Sequence, residues 1–276
     1  MESDNEIVSF SRKLGVFNMI RLMWVPTDIG RAASESMYHC GDLVIHHKKG
    51  ARKYYGLTEE LLSISIINEN DPNIALNDFH DWYVKRRIGA LGLLWNKSGD
   101  AWLGTNLKKE ERSQSIRRLL EKDDIAEVKI SKIDEIFYMP KEELKILNDN
   151  EKNNAASVIA PLDTLMWDRK LISAIFNFDY KWEVYTPIKE RKFGYYVLPV
   201  IYNDKFIGRC EPIMDRKKNE LIMQNWWWEE GFEINQDMID SLNRCFTVFA
   251  KFLNVEKIVI SDTLLKNRLD WVANCV

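Results

Sequence analysis

The 276-residue sequence predicts an α+β protein of three successive parts, and three observations predict it. Residues 1–66 and 67–147 each run from apolar residues at helical spacing into a short pair of strands. From residue 157 to 276 the pattern changes to β-branched and aromatic runs separated by tight turns, as in an antiparallel sheet. One long amphipathic run follows those strands, placed to cover the sheet as a helix. Each part is long enough to bury a core.

In the first part, Val8, Leu14, Phe17, Ile20, Leu22 and Met23 lie loosely at helical spacing. Pro26-Thr27-Asp28 offers a second helix start, with Thr27 or Asp28 as cap, and that helix continues through Ile29, Ala32, Ala33, Met37 and Tyr38 to the stop residue Gly41. Leu43-Val44-Ile45 and Lys53-Tyr54-Tyr55-Gly56-Leu57 read as strands joined by the basic tip His46 to Arg52. A helix followed by a cationic hairpin is the order of a winged helix, in which the helix enters the major groove and the hairpin reaches phosphates. A hairpin with a merely solvated charged turn fits the residue types equally well.

The second part repeats this plan imperfectly. Asp78 to Trp95 reads as one or two helices, with Trp82, Ile88, Leu91, Leu94 and Trp95 inward and Lys85-Arg86-Arg87 outward. Lys108 to Leu120 reads as another, with Ile116, Leu119 and Leu120 on one face and Lys109, Arg112, Arg117 and Arg118 on others. Strands at Ile125 to Ile130 and Ile136 to Tyr138 flank a turn, and Pro140 starts a short helix. Polar Asn148 to Ser157 is the expected linker.

The third part opens with Ala160 to Lys218. Val184-Tyr185 and Tyr195 to Ile201 read as strands, and Asn203-Asp204-Lys205 as the tight turn before Phe206-Ile207. Pro199 suggests a strand end or bulge. Leu221 to Trp228 is a further strand, whose Trp226-Trp227-Trp228 fits either a stacking platform or alternating sheet residues. Ile234 to Leu253 is the covering helix, Ile258-Val259-Ile260 a last strand and Leu264 to Val276 a tail helix.

The net charge of −3 hides a segregation of sign. Ser9 to Thr58 holds eight Lys or Arg against three acids, and His80 to Lys122 holds ten against five. Asp123 to Ser157 reverses this with nine acids against five bases. Two local basic faces therefore remain able to attract phosphates. The acidic start, Met1 to Glu6, has no signal-peptide pattern and no apolar run approaches a membrane span, so a cytoplasmic location is expected. Cys40, Cys210, Cys245 and Cys275 form no C-x-x-C pair, and Cys40 with His39, His46 and His47 matches no common ligand spacing, so no metal or cofactor is expected. The sequence has no phosphate-binding glycine loop, nucleophile elbow or H-E-x-x-H.

Pro161-Leu162-Asp163-Thr164-Leu165-Met166-Trp167-Asp168-Arg169, Phe176-Asn177-Phe178-Asp179-Tyr180, Glu183-Val184-Tyr185-Thr186-Pro187 and Arg191-Lys192-Phe193-Gly194-Tyr195-Tyr196-Val197-Leu198-Pro199 follow one another, then Gly208-Arg209 and Asp215-Arg216-Lys217. This succession resembles the signature of the winged-helix DNA-binding family that includes the bacterial DNA glycosylases AlkZ and YcaQ, which unhook bulky and crosslinked N7-alkylpurines. The resemblance extends, more weakly, back over most of the chain. It implies tandem winged-helix modules, followed by the antiparallel β-rich domain with its covering helix, and double-stranded DNA, alkylated or distorted, as partner.

In those glycosylases the resemblance further implies a Gln-Φ-Gln or Gln-Φ-Asp motif that orients the attacking water. The only glutamines here, Gln114, Gln224 and Gln236, do not fit it. The first part resembles the family's middle winged helix, so the module that precedes it is expected to be missing. Three readings stay open: DNA binding without excision, a glycosylase whose water is held by Asp163, Asp168 or Glu183, and a protein-interaction module. Asp168 with Arg169 and Glu183 with Arg191 are expected instead to pair within the fold and fix the loop against the sheet. The residues expected to contact DNA are Arg31, Lys48, Lys49, Arg52, Lys53, Arg86, Arg87, Lys109 and Arg112.

Overall fold

The computed structural model describes residues 29–148, 154–231 and 233–261, with Leu264 and Leu269. The expected helix over Val8 to Trp24, the Pro26-Thr27-Asp28 cap, most of the tail helix and the middle of the linker lie outside them. The chain divides after Pro72 into two compact units.

In the first unit, helix α1 (Ile29–Cys40) ends at Gly41, whose φ of +87° lets the chain reverse while Gly41 N–H and Asp42 N–H donate to the Tyr38 and Met37 carbonyls. Strands β1 (Leu43–Lys49) and β2 (Arg52–Leu57) are antiparallel and meet at Gly50-Ala51, with Gly50 at φ +60°. The strands are longer than the sequence suggested, so His46 to Lys49 and Arg52 belong to the ladder and not to the turn. Tyr38 packs on Tyr55, seating α1 on the hairpin. Two single-turn helices follow, α2 (Thr58–Leu61) and α3 (Ile64–Ile67).

The second unit begins with α4 (Leu76–Leu91), β3 (Leu94–Trp95), α5 (Lys109–Glu121), β4 (Ile125–Lys129) and β5 (Ile136–Pro140). The three strands are antiparallel in the order β3-β5-β4. Val84 and Ile88 of α4, Ile116 and Leu119 of α5, Trp95, Ile125 and Phe137 fill the space between helices and sheet. Trp82, expected inside, is 42% exposed: the inward face of α4 is set by Asp81, Val84 and Ile88, and position 82 falls off it. Asp81 can be buried because Arg118 grips it through three hydrogen bonds of 2.9, 3.1 and 2.7 Å and Lys122 adds a fourth at 3.2 Å.

After β6 (Ala156–Val158) and helix α6 (Arg169–Phe176) come β7 (Leu198–Tyr202), β8 (Lys205–Asp215), β9 (Glu220–Trp228), α7 (Gln236–Leu253) and β10 (Lys257–Ile260). The sheet order is β10-β9-β8-β7-β6. All pairs are antiparallel except β10, which runs parallel to β9 and corrects the all-antiparallel expectation; α7 carries the chain back across the sheet, so β10 enters in the same direction as β9. Met238, Leu242, Phe246 and Ala250 recur along one stripe of α7 and cover Val200, Cys210, Met223 and Trp226. Ser241 Oγ donates to Asn154 O and accepts from Ala156 N–H, which ties the helix to the first strand.

Val184-Tyr185, expected as a strand, lies in a 3-10 turn, and Tyr195 to Val197 precede β7 as loop. Neighbouring residues of α6 face two cores: Leu171 packs with Trp95 and Leu119, and Ile172 with Met166, Phe178 and Phe206. The helical spacing that separates consecutive side chains by about 100° thus joins the three-stranded module to the larger sheet.

Candidate nucleic-acid interface

The β1–β2 register sets Lys48 opposite Lys53 and Lys49 opposite Arg52, and all four side chains are exposed. Like charges directly opposite one another weaken a strand pair, and the local contact that offsets this is Lys53 Nζ at 5.3 Å from the Tyr38 ring. The strand is irregular between Ile45 and His47; His47 stacks on Tyr54 at 4.4 Å and its Nδ1 is 2.8 Å from that of His46. Arg31, on α1, donates to Glu35 at 2.8 Å; that pairing raises the Arg31 pKa and lowers that of Glu35.

On α4, Arg86 is exposed and stands 5.6 Å from the Trp82 ring. Arg87 is held between Trp167 at 4.7 Å and Tyr83 at 5.2 Å and donates to Leu103 O at 2.9 Å, which leaves little of its guanidinium for a ligand. On α5, Lys109 is exposed in the first turn, whereas Arg112 is only 4% exposed. Its guanidinium donates to Asn96 Oδ1 at 3.0 Å and Leu107 O at 2.9 Å and lies 5.0 Å from the Trp102 ring. Burial pulls its pKa down. The cause is positional: Arg112, Ser115, Ile116 and Leu119 share the inner face of α5. The expectation that Arg112 contacts a ligand therefore meets an interior side chain.

The segment from Asp163 to Arg209 is organised by buried carboxylates. Asp163, by contrast, is exposed and accepts from Leu165 N–H through Oδ1 at 2.9 Å. Asp168, fully buried, caps α6 by accepting from Lys170 and Leu171 N–H, both at 3.1 Å. Glu183 accepts from Lys192 and Phe193 N–H, both at 2.9 Å, and Glu211 accepts from Tyr195 N–H at 2.6 Å and from Asn225 Nδ2 at 2.8 Å. Burial opposes the charge on Glu183, but the amides of Lys192, Phe193 and Gly194 outweigh it and hold its pKa below the ordinary value. Among the described residues neither Asp168 nor Glu183 is paired with Arg169 or Arg191. Arg169 donates to the Met166 and Pro161 carbonyls and Arg191 to Thr186 O. Arg209 lies 4.3 Å from both Phe178 and Phe193 and donates to Glu229 at 2.6 Å. Tyr180 donates to Val197 O at 2.6 Å, and burial raises its pKa to about 12. Beside this network opens a cleft of about 760 Å³, lined in part by Trp95, Lys97, Lys170, Lys181, Lys192 and Phe193.

The family described as DNA glycosylase AlkZ-like has a model that matches residues 11–252. The chain belongs to the AlkZ-like DNA glycosylase family. No solved structure matches it.

In this AlkZ-like chain the structure gathers Lys48, Lys49, Arg52 and Lys53 on one hairpin, sets Arg86 and Arg87 side by side on α4, and divides Lys109 from Arg112 across α5. Gln114 and Gln224 are exposed on α5 and β9, and Gln236 donates to Asp240 at 2.8 Å in the first turn of α7. Among the described residues no group of three or more His, Cys, Asp or Glu is placed to hold a metal ion, and no helix is long and apolar enough to cross a membrane. Glu211 was not singled out from sequence. Its signal was a lone acid in the strand run Phe206 to Met214, whose one other charged residue is Arg209, where a buried charge requires partners.

Proposed function

We propose that this chain is a DNA-binding member of its family that grips the duplex backbone through the tip of the β1–β2 hairpin and does not excise a base. The hairpin carries the argument: four exposed cations face one another in a ladder they destabilise, and a row of phosphates would relieve that repulsion. Two winged helices are the architecture this reading assigns. In the first, α1 would lie in the major groove and β1–β2 would be the wing. In the second, the succession α4-β3-α5-β4-β5, with strand order β3-β5-β4, supports α5 as the groove helix, with Lys109 and Arg117 exposed upon it. Arg86 would reach the backbone from α4; Arg112 has a structural task.

Binding without excision is supported by the condition of two of the three acids best placed in the sequence to hold a water. Asp168 and Glu183 are buried and accept two backbone N–H groups each, which leaves them poorly disposed to orient a nucleophile, whereas Asp163 is exposed and spends one oxygen on Leu165 N–H. The test is a salt titration on a random-sequence duplex, run beside a base-release assay on the same duplex carrying N7-alkylguanine. Lys48→Glu with Lys49→Glu should weaken binding to every sequence alike and flatten the salt slope by about 0.9 for each phosphate that is no longer neutralised. An unchanged slope would remove the wing assignment. Turnover in the release assay would overturn binding without excision, and absence of any binding would favour a protein-interaction module.

A further inference from the structure

The loop between Lys181 and Tyr196 carries an aromatic ledge that the duplex grip does not use. Tyr185 is 88% exposed, Tyr195 56% and Tyr196 43%. Trp182 stands between two of them, edge-on to Tyr185 at 5.9 Å and to Tyr196 at 5.8 Å, and Arg191 lies 5.0 Å from the Tyr195 ring. Isolated surface aromatics need no explanation, but a contiguous group on one loop does.

Two properties make the ledge a receptor for something specific. It is held in shape before any ligand arrives: Glu183 and Glu211 fix the amides of residues 192, 193, 195 and 196, and Arg191 is anchored on Thr186 O at 2.9 Å. Little conformational freedom then disappears on binding. It is also cationic. Residues 181–192 carry Lys181, Lys189, Arg191 and Lys192 against Glu183, which is buried on its amides, and Glu190. Lys181 and Lys192 also line the adjoining cleft, where Lys170 joins them and Asp179 and Glu190 are among the acids.

We infer that this ledge and the edge of the cleft bind unpaired DNA, with bases stacked on Tyr185, Tyr195 and Tyr196 and phosphates along Lys181 and Lys192. Flat rings beside a row of cations are what a single strand requires, because every base has a π-face and every linkage a charge. In a duplex the base faces are hidden in the stack, so the rings select unpaired strand. The inference rests on the reading of the chain as a DNA binder, and adds to it a site for the strand that a distorted duplex exposes.

The experiment compares binding of labelled oligo-dT and of a mixed-sequence duplex by the full chain and three double variants. Tyr185→Ala with Tyr196→Ala should lower oligo-dT affinity roughly tenfold or more and leave the duplex within about twofold. Lys181→Glu with Lys192→Glu should also weaken oligo-dT. Lys217→Glu with Lys218→Glu, an equal charge change on the exposed β8–β9 turn, should not. Thermal melting of each variant shows that it folds. Oligo-dT affinity unchanged in the tyrosine variant, equal losses on both ligands, or an equal loss in the Lys217 and Lys218 variant would overturn the inference. If only duplex binding fails in the unaltered chain while the tyrosine effect on oligo-dT persists, the hairpin grip falls and the ledge stands.

Discussion

Glu183 and Glu211 hold four backbone N–H groups of one loop: those of Lys192 and Phe193 go to Glu183 and those of Tyr195 and Tyr196 to Glu211. A loop whose amides pair with neither helix nor sheet is thereby satisfied by two buried carboxylates. Glu183→Gln and Glu211→Gln each keep the shape but replace an accepting oxygen by an NH2 facing a donor. Each should cost about 1–3 kcal/mol, a fall in Tm of roughly 2–4 °C per kcal/mol for a unit of this size. An unchanged melt would show that the loop does not depend on them.

The same contact sets a pH dependence. Because the folded pKa of Glu183 lies below its ordinary 4.5, its contribution to stability is full above that value and is lost as pH falls through the lower folded value. Denaturant midpoints of the unaltered protein should therefore fall between pH 5 and pH 3 more steeply than those of Glu183→Gln. Equal slopes would contradict this assignment.

Two glycines guard these carboxylates. A Cβ on Gly194 would lie 2.5 Å from Glu211 Oε1, and one on Gly99 would lie 2.3 Å from Asp168 Oδ2. Neither glycine has a positive φ, so the requirement is close approach and not backbone twist. Gly99→Ala and Gly194→Ala should each destabilise the second unit by about 1–3 kcal/mol, read from urea midpoints. A stabilised Gly99→Ala would mean that Asp168 can move aside without losing its cap on α6.

Much of this was legible in the sequence wherever periodicity and burial agree. The stripe of α7, the hairpins β4–β5 and β7–β8 and the stop at Gly41 could be read because each is specified within a few residues. Val184-Tyr185 looked like a strand by propensity. A contact nine residues away, from Glu183 to Lys192 N–H, turns the chain instead. Pairing of acids with neighbouring arginines was expected on charge, but backbone amides took the acids, a choice that only the folded path of the loop determines. Arg112, like Glu211, was a legible miss, since its spacing to Ile116 and Leu119 already placed it on the apolar stripe.

Arg112 and Lys109 separate stability from binding on a single helix. Arg112→Lys keeps the charge but cannot reproduce the fork that meets Asn96 and Leu107. It should lower stability by about 2 kcal/mol or more and shift duplex affinity little under conditions where it is folded. Lys109→Glu, at an exposed position, should leave stability within about 0.5 kcal/mol and weaken the duplex. The reverse pattern in melting and binding would reverse their roles.

The hairpin should show an exchange between its own stability and its proposed ligand. Lys48→Glu places an acid opposite Lys53 and removes a like-charge pair, which should stabilise the strand pair by about 0.2–1 kcal/mol at low salt. The gain should fade as salt rises, because the side chains are exposed and screening acts on them fully. Duplex affinity should fall in the same variant. Amide hydrogen exchange along β1 and β2, measured beside a duplex titration, reads both effects. Slower exchange with weaker binding is expected if the four cations are kept for a polyanion; slower exchange with unchanged binding would mean that the repulsion serves no DNA contact at this tip.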